Sequence, residues 1–268
     1  MHKQISSLQN QAVKELLQLQ EKSRARKKQH SFVVEGVREI GLALKGGYRL
    51  KKLYYCPDLF SAEELNFVLK ETSSEVNISE ITQSVYEKIA YRGSTEGLLA
   101  IGEAKDLSLQ EIELKINNPL ILVAEAPEKP GNIGALLRTA DAAAVDAVFI
   151  ANPKTDMFNP NIIRSSVGCV FTQQIATGTT SEIISFLKDR KIGIFGAALQ
   201  ASVPYDSVDF TGASAIVVGT EATGLSEEWL EDSTQNIVIP MQGEIDSMNV
   251  SVAAGILIFE AKRQRKFN

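Results

Sequence analysis

Apolar positions recur at helical spacing from the start of the chain, at Leu8, Val13, Leu16, Leu17 and Leu19, and run up to a cluster of Lys22, Arg24, Arg26, Lys27 and Lys28. That pattern predicts an amphipathic helix leading into a basic turn. Short β-rich runs at 32–34, 52–56, 76–78 and 98–102 then alternate with helical stretches at 37–44, after Asp58, and at 85–90. Together they predict a small α/β domain over residues 1–104. Residues 105–118 are polar and weakly helical and end in Asn-Asn-Pro, the composition expected of a linker. Residues 119–268 open with an apolar strand at 120–124, followed by a glycine-bearing loop and a helix. Further strand-like runs at 147–151, 192–197, 215–219 and 237–239 are separated by helical segments. This alternation predicts a parallel sheet covered by helices, so the chain reads as α/β throughout.

Composition narrows the class. A chain of 268 residues is long for one core and comfortable for two. Its 44% apolar and 23% charged residues are those of a soluble globular protein, and no apolar run approaches a membrane span, so a membrane role is not expected. No apolar stretch follows the first charged residues, so no secretory signal is expected. Cys56 and Cys169 lie far apart without a partner pattern, which suits a reducing, cytoplasmic setting and no structural metal. The net charge of -5 hides an asymmetry: residues 1–56 carry twelve Lys and Arg against four Glu, a balance of +8 that leaves -13 elsewhere. Such a basic segment fits a polyanion partner as well as it fits a solvated helix.

Three loops of the second half concentrate polar residues at strand ends. In the first, Pro130 and Gly131 turn the chain, Asn132 can cap the following helix, Gly134 permits close approach, and Arg138 can point toward the strand ends. The second is a Gly-x-Glu-x-x-Gly turn in which Gly219 and Gly224 bracket Glu221, before an acidic helix start at Ser226. It is no Walker loop, because no Gly-Lys-Ser or Gly-Lys-Thr occurs. The third crowds Ser247, Asn249 and Ser251 into the start of an otherwise apolar helix; helix capping accounts for one of them, not for all three.

In order, these loops read Asn-x-Gly-x-x-x-Arg-Thr-Ala, Gly-x-Glu-x-x-Gly-Leu-Ser, then Ile-Pro-Met with Ser-x-Asn-Val-Ser-Val-Ala. The series resembles the three motifs of the SpoU (TrmH) family of RNA ribose 2′-O-methyltransferases, in the SPOUT superfamily. The run from Ser31 to Arg38, with the basic helix before it, is similar to the substrate-binding domain that many members carry in front. The resemblance implies a deep trefoil knot in the C-terminal SPOUT domain, against the general rule that chains do not knot. It also implies a homodimer with its active sites near the subunit interface. Carried over by position, Val218, Gly219, Ile239, Met241 and Met248 would hold S-adenosylmethionine. Asn132, Arg138, Glu221, Ser247 and Asn249 match the polar positions around the reacting ribose. Lys22, Arg24, Arg26, Lys27, Lys28 and Arg38 are the candidate RNA contacts. Met248 stands where leucine is usual and Ala144 where glycine is common.

Methyl transfer to a ribose hydroxyl is an in-line displacement that needs alignment and removal of a proton, and no metal. Neither His2 nor His30 lies in the motif region, and the family proposal makes the arginine matching Arg138 the base. A guanidinium holds its proton far above neutral pH, so positioning phosphate and stabilising developing charge is the role preferred for Arg138. The extra domain favours ribosomal RNA, of the large subunit, over transfer RNA. A non-catalytic RNA-binding assembly protein of the same fold is the rival reading, with donor binding as the discriminant.

Overall fold

A computed structural model describes residues 3–72, 76–91, 96–200, 202–220, 222–244 and 247–267. The chain divides into two compact units, one of residues 1–105 together with 156–172, the other of 106–155 together with 173–268. Among the described residues no helix is long and apolar enough to cross a membrane.

The first unit runs β1 (Lys3–Ile5), α1 (Gln11–Glu21), α2 (Ser23–Gln29), β2 (Ser31–Glu35), α3 (Val37–Lys45), β3 (Leu50–Tyr55), α4 (Ala62–Lys70), β4 (Asn77–Ile81), α5 (Gln83–Ile89) and β5 (Leu98–Glu103). Its sheet has the order β1-β4-β3-β5-β2, with β4 parallel to both β1 and β3, and β5 antiparallel to both β3 and β2. The apolar stripe of α1 (Val13, Leu16, Leu19) packs with Val33, Tyr54, Tyr86 and Ile101 in one core. Alternation along β2 sends Phe32 to the opposite face from Val33. There its ring stacks on Phe158 at 5.1 Å and 10°, beside Phe171 at 5.1 Å and Tyr48 at 5.7 Å. A Cβ on Gly102, the cross-strand partner of Phe32, would lie 2.4 Å from that ring, which is why glycine stands there. Phe158 and Phe171 belong to the returning segment, which also holds α7 (Pro160–Ser165).

The expected basic turn is a helix, α2, since Arg and Lys are good helix formers and His30 closes it in the left-handed region at φ 45°. A second correction concerns Arg26. Its side chain is only 5% exposed, with Nε and Nη2 on the Asp156 carboxylate at 2.9 and 2.7 Å and Nη1 on the carbonyls of Leu19 and Gln20 at 2.7 and 3.0 Å. Four of the five N–H donors of the guanidinium fork are thus engaged. Arg26 is therefore a structural ion-pair residue and has no charge left over for RNA.

The second unit contains β6 (Leu120–Glu125), α6 (Pro130–Ala142), β7 (Ala147–Ala151), β8 (Ile175–Gly178), α8 (Thr180–Asp189), β9 (Gly193–Ala197), β10 (Val203–Pro204), β11 (Ser214–Val218), α9 (Glu227–Asp232), β12 (Gln235–Val238) and α10 (Val250–Gln264). Its seven strands are all parallel, in the order β10-β12-β9-β11-β6-β7-β8. Burial on both faces explains why the central strands are continuous apolar runs. One face packs Ile121, Val123, Ala215 and Val217 against Ile183, Leu187 and Trp229 of α8 and α9. The alternate residues face α6 and α10, which pack on each other and on β6, β7 and β11. Of residues 105–118, expected to be a linker, 106–118 lie along this unit. Leu109, Ile112 and Leu114 pack on the α8 and α9 core, Leu107 accepts the Thr177 N–H at 2.7 Å, and Gln174 bonds both backbone groups of Glu113. Three apolar side chains at spacings of three and two are too few to stand out in a polar stretch.

Candidate functional site

The three loops named from sequence emerge together at the C-terminal ends of the parallel strands, where open α/β sheets present their ligand crevices. The first begins at Glu125, the last residue of β6. Ala126 takes φ 42°, with its N–H on the Ala151 carbonyl at 2.8 Å. Asn132 was expected to cap the helix; the structure corrects this. Lys129 is the N-cap residue and Pro130 occupies the first helical position, where its fixed φ and missing N–H cost nothing. Asn132 sits in the first turn, and its Oδ1 accepts from Asn249 Nδ2 at 3.3 Å. Arg138 is exposed, two turns further along α6.

The second loop leaves β11 at Val218. A Cβ on Gly219 would lie 2.2 Å from the Gly224 carbonyl carbon and 2.5 Å from Leu225 N, so only glycine fits. Thr220 and Gly224 exchange backbone hydrogen bonds at 3.0 and 3.1 Å, Thr223 N donates to Thr220 Oγ1 at 3.0 Å, and Gly224 closes the turn at φ 69°. Glu221 lies outside the described residues. In the third loop, Asn249 caps α10, its Oδ1 accepting from Ser251 N at 2.9 Å and Ser251 Oγ at 2.6 Å. Capping thus uses the oxygen of Asn249 and leaves its amide group for Asn132. The reason three polar residues crowd there is now visible: Asn249 and Ser251 build the cap, while Ser247 lines a cleft.

That cleft, of about 340 Å³, is walled by Val218, Gly219, Leu225, Ile239, Met241 and Met248, with Ser247 at its edge. All five residues assigned from sequence to the donor line it. A second cleft of about 290 Å³ shares Gly219, Thr220, Ala222 and Val250 with the first and is otherwise lined by Ala124, Pro127, Glu128, Lys129 and Asn132. Gly219, Thr220 and Ala222 therefore face two adjoining spaces, the second of which also carries Glu128, Lys129 and Asn132. Arg138 lines neither.

Sequence reasoning missed Lys129 and the 197–200 stretch, which carry no motif. It also passed over Glu125, which a carboxylate ending a run of five apolar residues could have flagged. In the first unit Lys22, Arg24, Lys27 and Lys28 are exposed on or beside α2; Arg38 is 63% exposed with Nη2 3.6 Å from Glu39 Oε1. Among the described residues no group of three or more His, Cys, Asp or Glu is placed to hold a metal ion.

Comparison with known proteins agrees with this geometry. Residues 119–259 match the model of the SpoU rRNA methylase family, and residues 10–100 match an MRM3-like substrate-binding domain. The 23S rRNA (guanosine(2553)-2′-O)-methyltransferase RlmP of Bacillus subtilis (strain 168) is 27% identical, over 97% of this chain and 99% of its own. The 23S rRNA (guanosine-2′-O-)-methyltransferase RlmB of Vibrio vulnificus (strain CMCP6) is 33% identical over 71% of this chain and 79% of its own. Among solved structures, an AdoMet-bound rRNA methyltransferase from Sinorhizobium meliloti superposes with a TM-score of 0.89 at 27% identity, covering 97% of each chain. With three motifs gathered at one sheet edge and a family match over more than half of its length, this chain belongs to the SpoU rRNA methylase family of RNA 2′-O-ribose methyltransferases.

Proposed function

We propose that the protein methylates a ribose 2′-hydroxyl of 23S ribosomal RNA, with S-adenosylmethionine as donor. The observation that carries this reading is the convergence of Val218, Gly219, Ile239, Met241 and Met248 on one cleft, beside a second to which Glu128, Lys129 and Asn132 contribute. The volume lies within the roughly 300–1,000 Å³ of small-molecule sites, and mostly apolar walls with two polarisable thioethers suit a nucleoside bearing a sulfonium. When bound, the donor supplies an electrophilic methyl group and its own leaving group.

The chain's own residues account for the rest. The Gly219–Gly224 hairpin forms the wall between the two clefts and fixes how closely their contents approach. The Asn132–Asn249 amide pair, at 3.3 Å, holds the first and third loops in register and presents polar groups beside the acceptor cleft. Ser247 offers a hydroxyl at the edge of the donor cleft. Arg138, Glu221 and these three form the polar set around the ribose, with Arg138 stabilising the charge that develops as the hydroxyl loses its proton.

The reading extends to a homodimer. Val252 and Phe259, seven residues apart on α10, are 53% and 42% exposed on one apolar face, and Arg138 lines neither cleft of its own chain. A second copy covering α10 would bury that face and bring Arg138 to a site at the interface. The threading of the third loop and α10 as a trefoil knot, the cytoplasmic setting, and RNA capture by Lys22, Arg24, Lys27, Lys28 and Arg38 belong to the same reading.

Calorimetric titration with S-adenosylmethionine, paired with transfer of labelled methyl to unmodified 23S ribosomal RNA, tests it. Saturable binding, loss of binding in Met248→Glu, and a labelled nucleotide resistant to alkaline cleavage are expected, because methylation removes the hydroxyl that attacks the backbone. No binding to folded wild-type protein would overturn the enzymatic reading in favour of a non-catalytic RNA-binding one. Gly219→Val is a harsher variant, since its side chain collides with the hairpin backbone before it reaches any ligand.

A further inference from the structure

The carboxylate of Glu125 is 6% exposed and lines neither cleft. Its Oε2 accepts the backbone N–H of Ser226 at 2.8 Å; its Oε1 accepts the Ser226 hydroxyl at 2.7 Å and the Thr180 hydroxyl at 3.2 Å. Thr180 Oγ1 in turn accepts from Asn152 Nδ2 at 2.9 Å. Ser226 is the N-cap residue of α9, yet its side chain makes no capping bond to that helix. Its hydroxyl is diverted to Glu125. Burying a carboxylate is costly unless charge-assisted hydrogen bonds offset it, and here both oxygens are engaged by the residue that ends the 219–226 loop.

That loop is clamped at both ends. Gly219 packs against the Gly224 backbone at one end, and Glu125 holds Ser226 by two points at the other. Between the clamps lie Ala222, which faces both clefts, and Leu225, which walls the donor cleft.

We propose that Glu125 is a positioning residue for the methyl donor: by pinning Ser226 it sets the wall of the donor cleft without touching the donor. The inference rests on the donor reading of that cleft. Interactions that shape only the bound donor raise KM when lost and leave turnover at saturation unchanged.

The test compares wild type with Glu125→Gln, Glu125→Asp, Ser226→Ala and the Glu125→Gln/Ser226→Ala double variant, measuring Kd for S-adenosylmethionine, KM, kcat and RNA affinity. Glu125→Gln removes the charge and replaces one of the two acceptor oxygens that three donors now share with an amide group, and should raise donor Kd and KM roughly tenfold or more, with kcat and RNA affinity within about twofold. Ser226→Ala should show a smaller change of the same kind, the double variant should be no worse than Glu125→Gln alone, and Glu125→Asp should recover part of the loss. If Glu125→Gln does not fold, Ser226→Ala carries the same expectation. Unchanged donor affinity in folded variants, or a parallel fall in kcat and RNA affinity, would overturn the proposal while wild-type binding stands. Failure of the wild type itself to bind donor would instead overturn the donor reading, and this inference with it.

Discussion

Ala144 holds a conformation that a side chain resists. It stands at φ 47° just beyond α6, where the Val145 N–H bonds Ala140 O and the Ala144 N–H bonds Asp141 O, both at 3.0 Å. This is the Schellman arrangement, in which glycine is preferred, and it explains why alanine at this position is the departure noted in the sequence. Ala144→Gly should stabilise the fold by about 1 kcal/mol, the left-handed penalty outweighing the extra freedom of the unfolded chain, as chemical denaturation would report. Asp156 makes the opposite kind of statement. Burial would raise its carboxyl, but the hydrogen bonds and charge of Arg26, with the Ser23 hydroxyl, outweigh that and hold it below the ordinary aspartate value of 3.8. A depressed folded value means stabilisation that is complete above the unfolded value and lost as pH falls through the folded one. Asp156→Ala should therefore cost on the order of 3 kcal/mol at neutral pH, and the gap from wild type should narrow as the pH is taken below 3.8. At Arg138 the two roles open to a guanidinium separate by substitution. Charge stabilisation predicts that Arg138→Lys keeps partial methyl transfer while Arg138→Ala loses it, in single-turnover assays.

Elements show which parts of the fold were legible. The central strands of the parallel sheet were readable because burial on both faces demands unbroken apolar runs such as Leu120–Glu125 and Ser214–Val218. Strands β1, β8 and β10, of three, four and two residues, are too short to show a period and were not anticipated. The start of α6 was misplaced by three residues because Asn132 looks like a cap, while Pro130 is what fixes the helix. The gathering of Val218, Gly219, Ile239, Met241 and Met248 in one cleft was legible through motif resemblance; the burial of Arg26 was not, since only a partner 130 residues away distinguishes it from its solvated neighbours. On α10 the sequence is apolar all round, and only the fold reveals which positions lack cover. If that face is where two copies meet, Val252→Glu with Phe259→Glu should convert a dimer to a monomer in analytical ultracentrifugation while each chain stays folded. Those two positions are already in water, so the exchange should cost an isolated chain little.

At the scale of the whole molecule, the family match assigns residues 156–172 to the methylase portion, yet they pack in the first unit. The main chain accordingly passes between the units at 105/106, 155/156 and 172/173. This arrangement could not be read from sequence order, because the Arg26–Asp156 ion pair and the Phe32, Tyr48, Phe158 and Phe171 rings join residues more than a hundred positions apart. The excursion makes the N-terminal portion dependent on a stretch of the C-terminal half. Expressed alone, residues 1–105 would leave Phe32 and Tyr48 uncovered and Arg26 without its counter-ion, and should be poorly soluble. Co-expressed with residues 106–268 they should be rescued, the two polypeptides co-eluting through size exclusion as a split protein. The seventeen residues within the methylase match thus amount to a built-in complementation tag: grafting the N-terminal portion onto another scaffold should succeed only when that segment is carried along.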